Sequence, residues 1–287
     1  MDVDDYEGGA LTERFGVNGV ELAWASWGEP KAGEPPFVLC HGFTGSAFDF
    51  SLEIPTLAKS RQVVALDQRG HGRSTNCGEE VKYSGDILAD DLIAFLEHVG
   101  GGQPVDLLGH SMGGVISQLV TLARPDLVRS LILMDTSGWS FVIEDEAVRN
   151  FVQGFITKFD PARGMPPPPK FKSPEDVLIE AATDEEWRNA KESLYFGMDP
   201  YAYKALGMVL AIDDSIDLRP QLGSITCPVT VVVGELDHPF IDHATELAAT
   251  VAHGRVEIID GAYHSPQLTH ADAWRAALET HLVAAHG

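Results

Sequence analysis

Short apolar runs alternate with longer segments of helical periodicity along most of the chain. Six of these runs are as long as strands, rich in β-branched residues and bounded by glycine, proline or polar residues. They read PFVLC, QVVALD, VDLLG, SLILMD, PVTVVVG and VEIID. Helical patterns such as SGDILADDLIAFLEHVG and DHATELAATV lie between most of them. Uniformly apolar strands that alternate with helices predict a parallel sheet covered by helices on both faces.

The segment before these runs follows a different pattern. GVNGVELAWASWG contains an Asn-Gly turn signal at Asn18 and Gly19, followed by alternating positions. This pattern predicts an opening antiparallel pair of strands. Together with the six runs, it predicts an α/β fold with a mostly parallel, doubly wound, eight-stranded sheet.

Residues 139–214 interrupt the alternation, because they contain no convincing strand and four helical segments. Three of these segments begin with residues typical of helix N-termini: Ser173 with Pro174, Thr183 with Glu186, and Asp199 with Pro200. The stretch also holds 11 of the 24 aromatic residues, as expected of a lid that lines an apolar pocket. We therefore predict a core formed by residues 1–138 and 215–287, with residues 139–214 inserted as a helical lid.

Charge and composition narrow the class of partner. The chain has 20 Lys and Arg residues against 43 Asp and Glu residues, a formal net charge of −23. Such a field repels nucleic acid and anionic membranes, so we expect neither as a partner. The acidic start MDVDDYEGGALTERF is unlike a secretory signal, and no window approaches the ~18 consecutive apolar residues of a membrane span. Three cysteines with no C-x-x-C pair favour reduced thiols, so we expect a cytoplasmic protein without a metal, and leave a homodimer open.

One serine is crowded by glycines where a strand meets a helical pattern. In LLGHSMGGVISQL, Ser111 forms a Gly-x-Ser-x-Gly motif with Gly109 and Gly113. Such a motif, directly after a strand and before a helix, is typical of a sharp turn that exposes a nucleophilic serine. The N-terminus of the helix that follows favours developing negative charge.

A serine hydroxyl needs a base, and the base needs an orienting acid. In this architecture the partners follow the serine in the order acid, then histidine. Glu235 and Asp237 follow the strand VTVVVG, and His264 follows the last strand. Both loops leave the same edge of the sheet as Ser111, where open α/β sheets bind ligands. Asp135, which ends the strand SLILMD, is a second candidate for the acid, although it also suits a structural turn.

Five motifs in order resemble the α/β-hydrolase superfamily, in its lid-bearing serine-hydrolase branch. They are HGFTGS (41–46), DQRGHGRS (67–74), GHSMGG (109–114), GELDHPF and GAYHSP. The resemblance implies an inserted lid and a catalytic triad without a cofactor. It assigns Ser111 as nucleophile, Asp237 as the orienting acid and His264 as general base and acid.

The same resemblance implies the surroundings of the serine. The backbone N–H groups of Phe43 and Met112 are expected to form an oxyanion hole, and Gly42 is expected to allow the close approach. The substrate is then expected to be a small-molecule acyl compound with an apolar group against the aromatic lid. Candidate pocket residues, besides Gly42, lie beside the serine and in the lid: His110, Trp139, Phe155 and Tyr195.

The resemblance leaves several reactions open. A carboxylic ester is the favoured substrate, with a lactone or thioester close to it, and a perhydrolase reaction or ligand binding without catalysis stays as an alternative. Haloalkane dehalogenases and epoxide hydrolases of this fold carry Asp where Ser111 stands, which disfavours both. Hydrolases of C–C bonds in meta-cleavage products usually have Asn before the serine and a Gly-Phe-Gly loop. This chain has His110 and Gly70-His71-Gly72 there, so the C–C reaction is the second candidate.

Overall fold

The computed structural model describes residues 8–139, 146–168, 171–211 and 217–285. Eight strands form one sheet: β1 (Glu13–Val17), β2 (Val20–Trp27), β3 (Phe37–Cys40), β4 (Val63–Leu66), β5 (Val105–His110), β6 (Val128–Met134), β7 (Val229–Gly234) and β8 (Gly254–Ile259). Their order across the sheet is β1-β2-β4-β3-β5-β6-β7-β8. The pairs β1–β2 and β2–β4 are antiparallel, and the remaining pairs are parallel. The predicted fold class, a mostly parallel eight-stranded sheet, is confirmed.

Helices follow most of the strands. They are α1 (Ile54–Leu57), α2 (Gly85–Gly100), α3 (Met112–Ala123), α4 (Glu146–Lys158), α5 (Pro174–Ala182), α6 (Glu185–Gly197), α7 (Pro200–Ala211), α8 (Arg219–Leu222), α9 (Phe240–Thr250), α10 (Pro266–Thr269) and α11 (Ala271–Ala285). Among the described residues, no helix is both long enough and apolar enough to cross a bilayer.

The central strands are apolar because both faces of the sheet are covered. Along β3, Val38 and Cys40 pack into one core, whereas Phe37 and Leu39 pack into another on the opposite face. Trp274 of α11 closes the second core, and its indole N–H lies 3.0 Å from the sulfur of Met134. A strand with two buried faces has no polar alternation, which explains the continuous apolar runs.

The predicted opening hairpin is also present. β1 and β2 are joined by Asn18 and Gly19, whose φ angles are 47° and 78°. Two consecutive residues with positive φ match the right-handed twist of the flanking strands, and Asn-Gly accepts that conformation readily. The hairpin therefore extends the parallel sheet at the β4 edge.

The segment predicted as a lid, residues 139–214, is bracketed by two stretches of chain that pair with each other beyond β6. Trp139 and Asp217 form an isolated antiparallel bridge, and the N–H of Leu218 donates to the carbonyl of Gly138 at 2.8 Å. All regular elements described between the two sides of this bridge are helical, as expected from the sequence. The predicted boundary at residues 214 and 215 lies outside the described residues.

Aromatic and polar contacts attach the lid helices to the core. The ring of Trp187 stacks on Phe48 with centroids 5.3 Å apart, and its indole N–H donates to the hydroxyl of Ser51 at 2.9 Å. The carboxylate of Asp199 accepts the N–H of Gly78 at 2.7 Å and the hydroxyl of Tyr83. These side chains join α6 and the start of α7 to loops beside the sheet.

One of the three predicted helix N-termini is wrong. Ser173 caps α5 through a reciprocal pair with Asp176, and Asp199 precedes Pro200 at the start of α7, as expected. In contrast, α6 begins after Asp184, whose side chain accepts the N–H of Trp187 at 2.7 Å. Thr183 instead donates its hydroxyl to the Ile179 carbonyl and ends α5. Because Asp184 accepts the N–H of Trp187, Asp184 replaces Thr183 as the N-cap of α6.

We predict that Gly113→Ala destabilises the protein. A Cβ atom at this position would lie only 2.5 Å from the carbonyl oxygen of His41, and this neighbour is backbone that cannot rotate away. Overpacking of this kind costs about 1–3 kcal/mol, measurable as a lower denaturant midpoint. Gly154→Ala is the control, because a Cβ there meets nothing within 4 Å and alanine favours helix. Equal stability of the two variants would contradict the close packing of the β5–α3 turn.

Candidate active site

The turn between β5 and α3 holds Ser111 in an unusual backbone conformation. Its φ and ψ angles are 52° and −118°, a region that residues other than glycine rarely occupy. Two hydrogen bonds hold the backbone of Ser111. Its N–H donates to the carbonyl of Met134 at 2.9 Å, and its carbonyl accepts the hydroxyl of Thr136 at 2.6 Å. The serine therefore stands at the N-terminus of α3 on a strained turn fixed by β6 and the residues after it.

The loop after β3 lies directly against this turn. A Cβ atom on Gly42 would be 3.0 Å from the Cβ of Ser111, so glycine is needed for the approach. Phe43 follows Gly42, and Met112 follows Ser111 as the first residue of α3. The two residues predicted to supply the oxyanion N–H groups thus belong to two adjoining segments, and that role stays a prediction.

The predicted base and acid are in contact. Nδ1 of His264 lies 2.8 Å from the Oδ2 atom of Asp237, which accepts the hydrogen bond. Asp237 comes from the loop after β7 and is 7 % exposed, whereas His264 comes from the loop after β8 and exposes 30 % of its side chain. A ring with Nδ1–H directed at a carboxylate has its Nε2 atom available as a base.

His110 connects the histidine loop to the serine turn. Its Nε2–H group donates to the carbonyl of His264 at 2.9 Å, and the two rings are 4.8 Å apart. Burial, together with the nearby charge of His264, lowers the pKa of His110 well below its ordinary value, so the ring stays neutral. His110 thus lies beside the predicted triad and directly precedes Ser111.

Asp135, the other candidate for the acid, also lies at this edge of the sheet. It follows β6, is fully buried, and accepts the N–H of Gly234 at 2.8 Å. The Asp135 side chain faces Asp237. The Nδ1–H group of His264 donates its hydrogen bond to Asp237. The geometry therefore favours Asp237 as the partner of the imidazole.

A carboxylate of the lid, which the sequence did not reveal, lies beside His264. Glu175, in the first turn of α5, faces the hydroxyl and the backbone N–H of Ser265 and is close to the charge of His264. Burial lowers the pKa of His264, but the hydrogen bond and charge of Asp237, with the charge of Glu175, outweigh it and raise the pKa. Acidic residues are common in first helical turns, so nothing in the sequence pattern distinguishes Glu175 from other acidic residues.

An apolar wall lies above the loop that carries Phe43. The ring of Phe43 stacks on that of Tyr203 with centroids 5.3 Å apart. The ring of Phe159 meets Tyr203 edge-on, with centroids 5.2 Å apart. A Cβ atom on Gly207 would be 3.4 Å from Phe43, so α7 packs closely here. Phe240 lies 4.9 Å from the ring of His264. Aromatic enrichment of the lid was visible in the sequence, but these particular rings were not singled out.

Of the three pocket residues predicted in the lid, Tyr195 lies close to Tyr203 of the apolar wall, whereas the contacts of Trp139 lie elsewhere. Trp139 lies 5.1 Å from the ring of His243 and 5.1 Å from the guanidinium of Arg219. Phe155 is 44 % exposed, and the hydroxyl of Tyr195 donates to the carbonyl of Pro166 at 2.9 Å. Their role in a substrate pocket stays a prediction, whereas Gly42 and His110 lie beside Ser111.

Comparison with known proteins places the chain in a family. Residues 37–277 match the sequence profile of the alpha/beta hydrolase family, and the chain belongs to this family. An uncharacterized hydrolase, YugF, of Bacillus subtilis is 37% identical over 126 residues, 44% of this chain and 45% of that protein. A component of an acetoin cleaving system of Pseudomonas putida, named a dihydrolipoyllysine-residue acetyltransferase, is 34% identical over 53% of this chain and 39% of its own length. The chain thus spans less than half of the length of these relatives.

Solved structures agree on the fold. A thermophilic esterase from Thermogutta terrifontis superposes with a TM-score of 0.73 at 22% identity, covering 96% of this chain and 100% of that one. An enol-lactonase from Burkholderia xenovorans gives a TM-score of 0.71 at 21% identity, covering 94% and 100%. Family membership supports a hydrolase, and identities this low establish the fold alone.

We predict that Glu175→Gln lowers the pKa of His264. A carboxylate near the ring stabilises the imidazolium, so removing its charge makes the ring easier to deprotonate. The measurement is an NMR titration of the His264 ring, and the difference from the unaltered protein should shrink in high salt. Glu180→Gln is the control, since Glu180 is on the same helix but is paired with Lys172 at the surface. A His264 pKa that is equal in both variants would show that Glu175 does not act on the ring.

Proposed function

We propose that the protein is a serine hydrolase that cleaves a small to medium carboxylic ester, or a related lactone or thioester, through an acyl-enzyme on Ser111. The observation that carries the proposal is the 2.8 Å hydrogen bond between His264 and Asp237 at the sheet edge that also holds the strained turn of Ser111. An acid, a base and a nucleophile from three strand-end loops form the arrangement that acyl transfer requires.

The reaction proceeds in two halves. In the first, Nε2 of His264 takes the proton of the Ser111 hydroxyl while the serine oxygen attacks the ester carbonyl. The tetrahedral intermediate then collapses, the C–O bond to the alcohol breaks, and the imidazolium gives its proton to the leaving alcohol. In the second half, His264 takes a proton from a water molecule as the water oxygen attacks the acyl carbon. The bond to the Ser111 oxygen then breaks, the imidazolium returns its proton to that oxygen, and the carboxylic acid leaves. Asp237 holds the ring orientation and stabilises the imidazolium in both halves.

The negative oxygen of each intermediate needs donors that are already in place. The N–H groups of Phe43 and Met112 are assigned to it, supported by the contact of the Gly42 loop with the serine turn. Each such donor contributes about 2.7–4 kcal/mol of transition-state stabilisation. The N-terminus of α3 adds a favourable field at the same place.

The surroundings of the site favour an uncharged, apolar substrate. The apolar wall is formed by Phe43, Phe159 and Tyr203. Burying a hydrocarbon group against it contributes about 25 cal/mol of binding free energy per Å² of buried area. Glu175 lies beside His264, and the chain has a net charge of −23. Both disfavour a substrate that carries a free carboxylate. This argues for esters over the C–C hydrolase reaction, whose dienone substrate is anionic.

We predict that a fluorophosphonate probe labels Ser111 alone. The probe reacts with a serine only where a base activates the hydroxyl, and the proposal gives that role to His264, held by Asp237, at Ser111. Mass spectrometry of the labelled peptides should find the adduct in residues 107–119, and Ser111→Ala should abolish it. Ser224→Ala, at an exposed site away from the turn, should leave labelling unchanged. Labelling that persists in Ser111→Ala would disprove the assignment of the nucleophile.

We also predict that acyl chain length controls the rate of ester hydrolysis. With p-nitrophenyl esters, kcat/KM should rise as the acyl chain lengthens along the apolar wall and fall once the chain extends past that wall. An anionic meta-cleavage dienone should be cleaved poorly by the same purified enzyme. Poor ester hydrolysis at every length, together with rapid dienone cleavage, would instead establish the C–C hydrolase reaction.

A further inference from the structure

Asp135 has features that a structural turn residue does not need. It follows β6, no part of it is exposed to solvent, and its φ of 45° lies in the left-handed region. Its Oδ1 atom accepts the N–H of Gly234 at 2.8 Å. Its Oδ2 atom is also buried, and no donor for it is found in the described part of the chain. A buried carboxylate oxygen without a donor is costly, so the state of this group needs an explanation.

A second acid lies next to the Asp135 side chain. The Asp135 side chain faces the carboxyl group of Asp237, which is 7 % exposed and accepts the Nδ1–H of His264 at 2.8 Å. Two ionised carboxylates in contact repel each other strongly in a buried place. One proton between them removes the repulsion and converts the contact into a hydrogen bond.

The surroundings decide which carboxyl group holds that proton. Asp237 lies against the imidazole of His264, which stabilises its negative charge. Asp135 is more deeply buried than Asp237. Its carboxyl group accepts a hydrogen bond from the neutral N–H of Gly234. The charge of Glu175 also opposes ionisation of Asp135. The proton therefore belongs on Asp135.

We propose that Asp135 is a neutral carboxylic acid that donates a hydrogen bond to the Asp237 carboxylate and so positions the acid of the triad. Burial first, and then the charge of Asp237, raise the pKa of Asp135 well above its ordinary value, in agreement with this assignment. Asp237 is thereby held from two sides, by the ring of His264 and by Asp135. Asp135 is a positioning residue, since it acts through Asp237 and does not touch the reacting atoms.

The backbone at Asp135 fits this role. Aspartate, asparagine and glycine are the residues that accept a left-handed φ most readily. Leucine or valine could fill the same buried space but could neither adopt this backbone without strain nor bind the N–H of Gly234. The conformation turns the chain sharply after β6 and leaves the carboxyl group between Gly234 and Asp237.

Two substitutions at this position separate positioning from packing. Asp135→Asn keeps both interactions, because the amide oxygen accepts the N–H of Gly234 and the amide nitrogen donates to Asp237. Asp135→Gly removes both and still accepts the backbone angle. We expect kcat of Asp135→Asn to stay within about threefold of the unaltered enzyme, and kcat of Asp135→Gly to fall about tenfold or more with little change in KM.

The glycine substitution should also depend on Asp237. In an Asp237→Asn background, Asp135→Gly should reduce kcat by much less than tenfold, because the carboxylate that it positions is gone. The acidic and imidazole side chains around His264, those of Asp237, Glu175 and His110, are the same in Asp135→Asn and the unaltered enzyme. The pH profile of kcat/KM should therefore coincide for these two proteins.

The proton itself can be observed without any substrate. Infrared spectra of protein labelled with ¹³C-aspartate distinguish a protonated carboxyl group from a carboxylate. At neutral pH, the difference between the unaltered protein and Asp135→Asn should contain the band of a protonated carboxyl group. A carboxylate band in that difference spectrum would overturn the proposal, as would an equal loss of kcat in the folded asparagine and glycine variants. The positioning role rests on the proposed function, whereas the infrared band tests only the protonation of Asp135. If the band is present but no ester is hydrolysed, the proposed function fails and the protonation of Asp135 stands.

Discussion

The close approach of two strand-end turns is the constraint on which the rest of the site depends. The β5–α3 turn packs so tightly against the end of β3 that Gly113 has no space for a side chain beside the His41 carbonyl. Gly42, on the loop after β3, also approaches closely, because a Cβ atom there would lie 3.0 Å from the Cβ of Ser111. Because β3 and β5 are parallel neighbours, their carboxyl ends meet, and the sheet brings Ser111 and the Phe43 loop together. A fixed backbone then holds Ser111, the proposed nucleophile, without help from its own side chain.

The electrostatics of the site come from three acidic groups around one imidazole. Asp237 binds the ring, Glu175 of α5 lies near it, and Asp135 faces Asp237. Burial penalises each charge separately, so the three acids cannot be equivalent. Through Glu175, the segment predicted as a lid therefore affects the protonation of His264 as well as contributing to the apolar wall.

The lid shows where sequence patterns succeed and where they fail. The helices α5 and α7 begin near the predicted Ser173 and Asp199, because caps act through backbone N–H groups two or three residues away. Thr183 is not the cap of α6, because Asp184, one residue later, accepts the N–H of Trp187 while the Thr183 hydroxyl donates to the Ile179 carbonyl. Which aromatic rings turn towards Phe43 was not predictable, since helix periodicity defines a face but not the partner that covers it.

The sequence by itself determined the sheet, the order of its elements, and the strand-end positions of Ser111, Asp237 and His264. These depend on local periodicity and on the rule that parallel strands end at one edge, both of which are legible in a single chain. Only the tertiary structure decided that Glu175 lies beside His264 and that Asp135 faces Asp237. Those contacts join residues from separate loops and from the lid, and their protonation depends on burial, which is a property of the folded molecule as a whole.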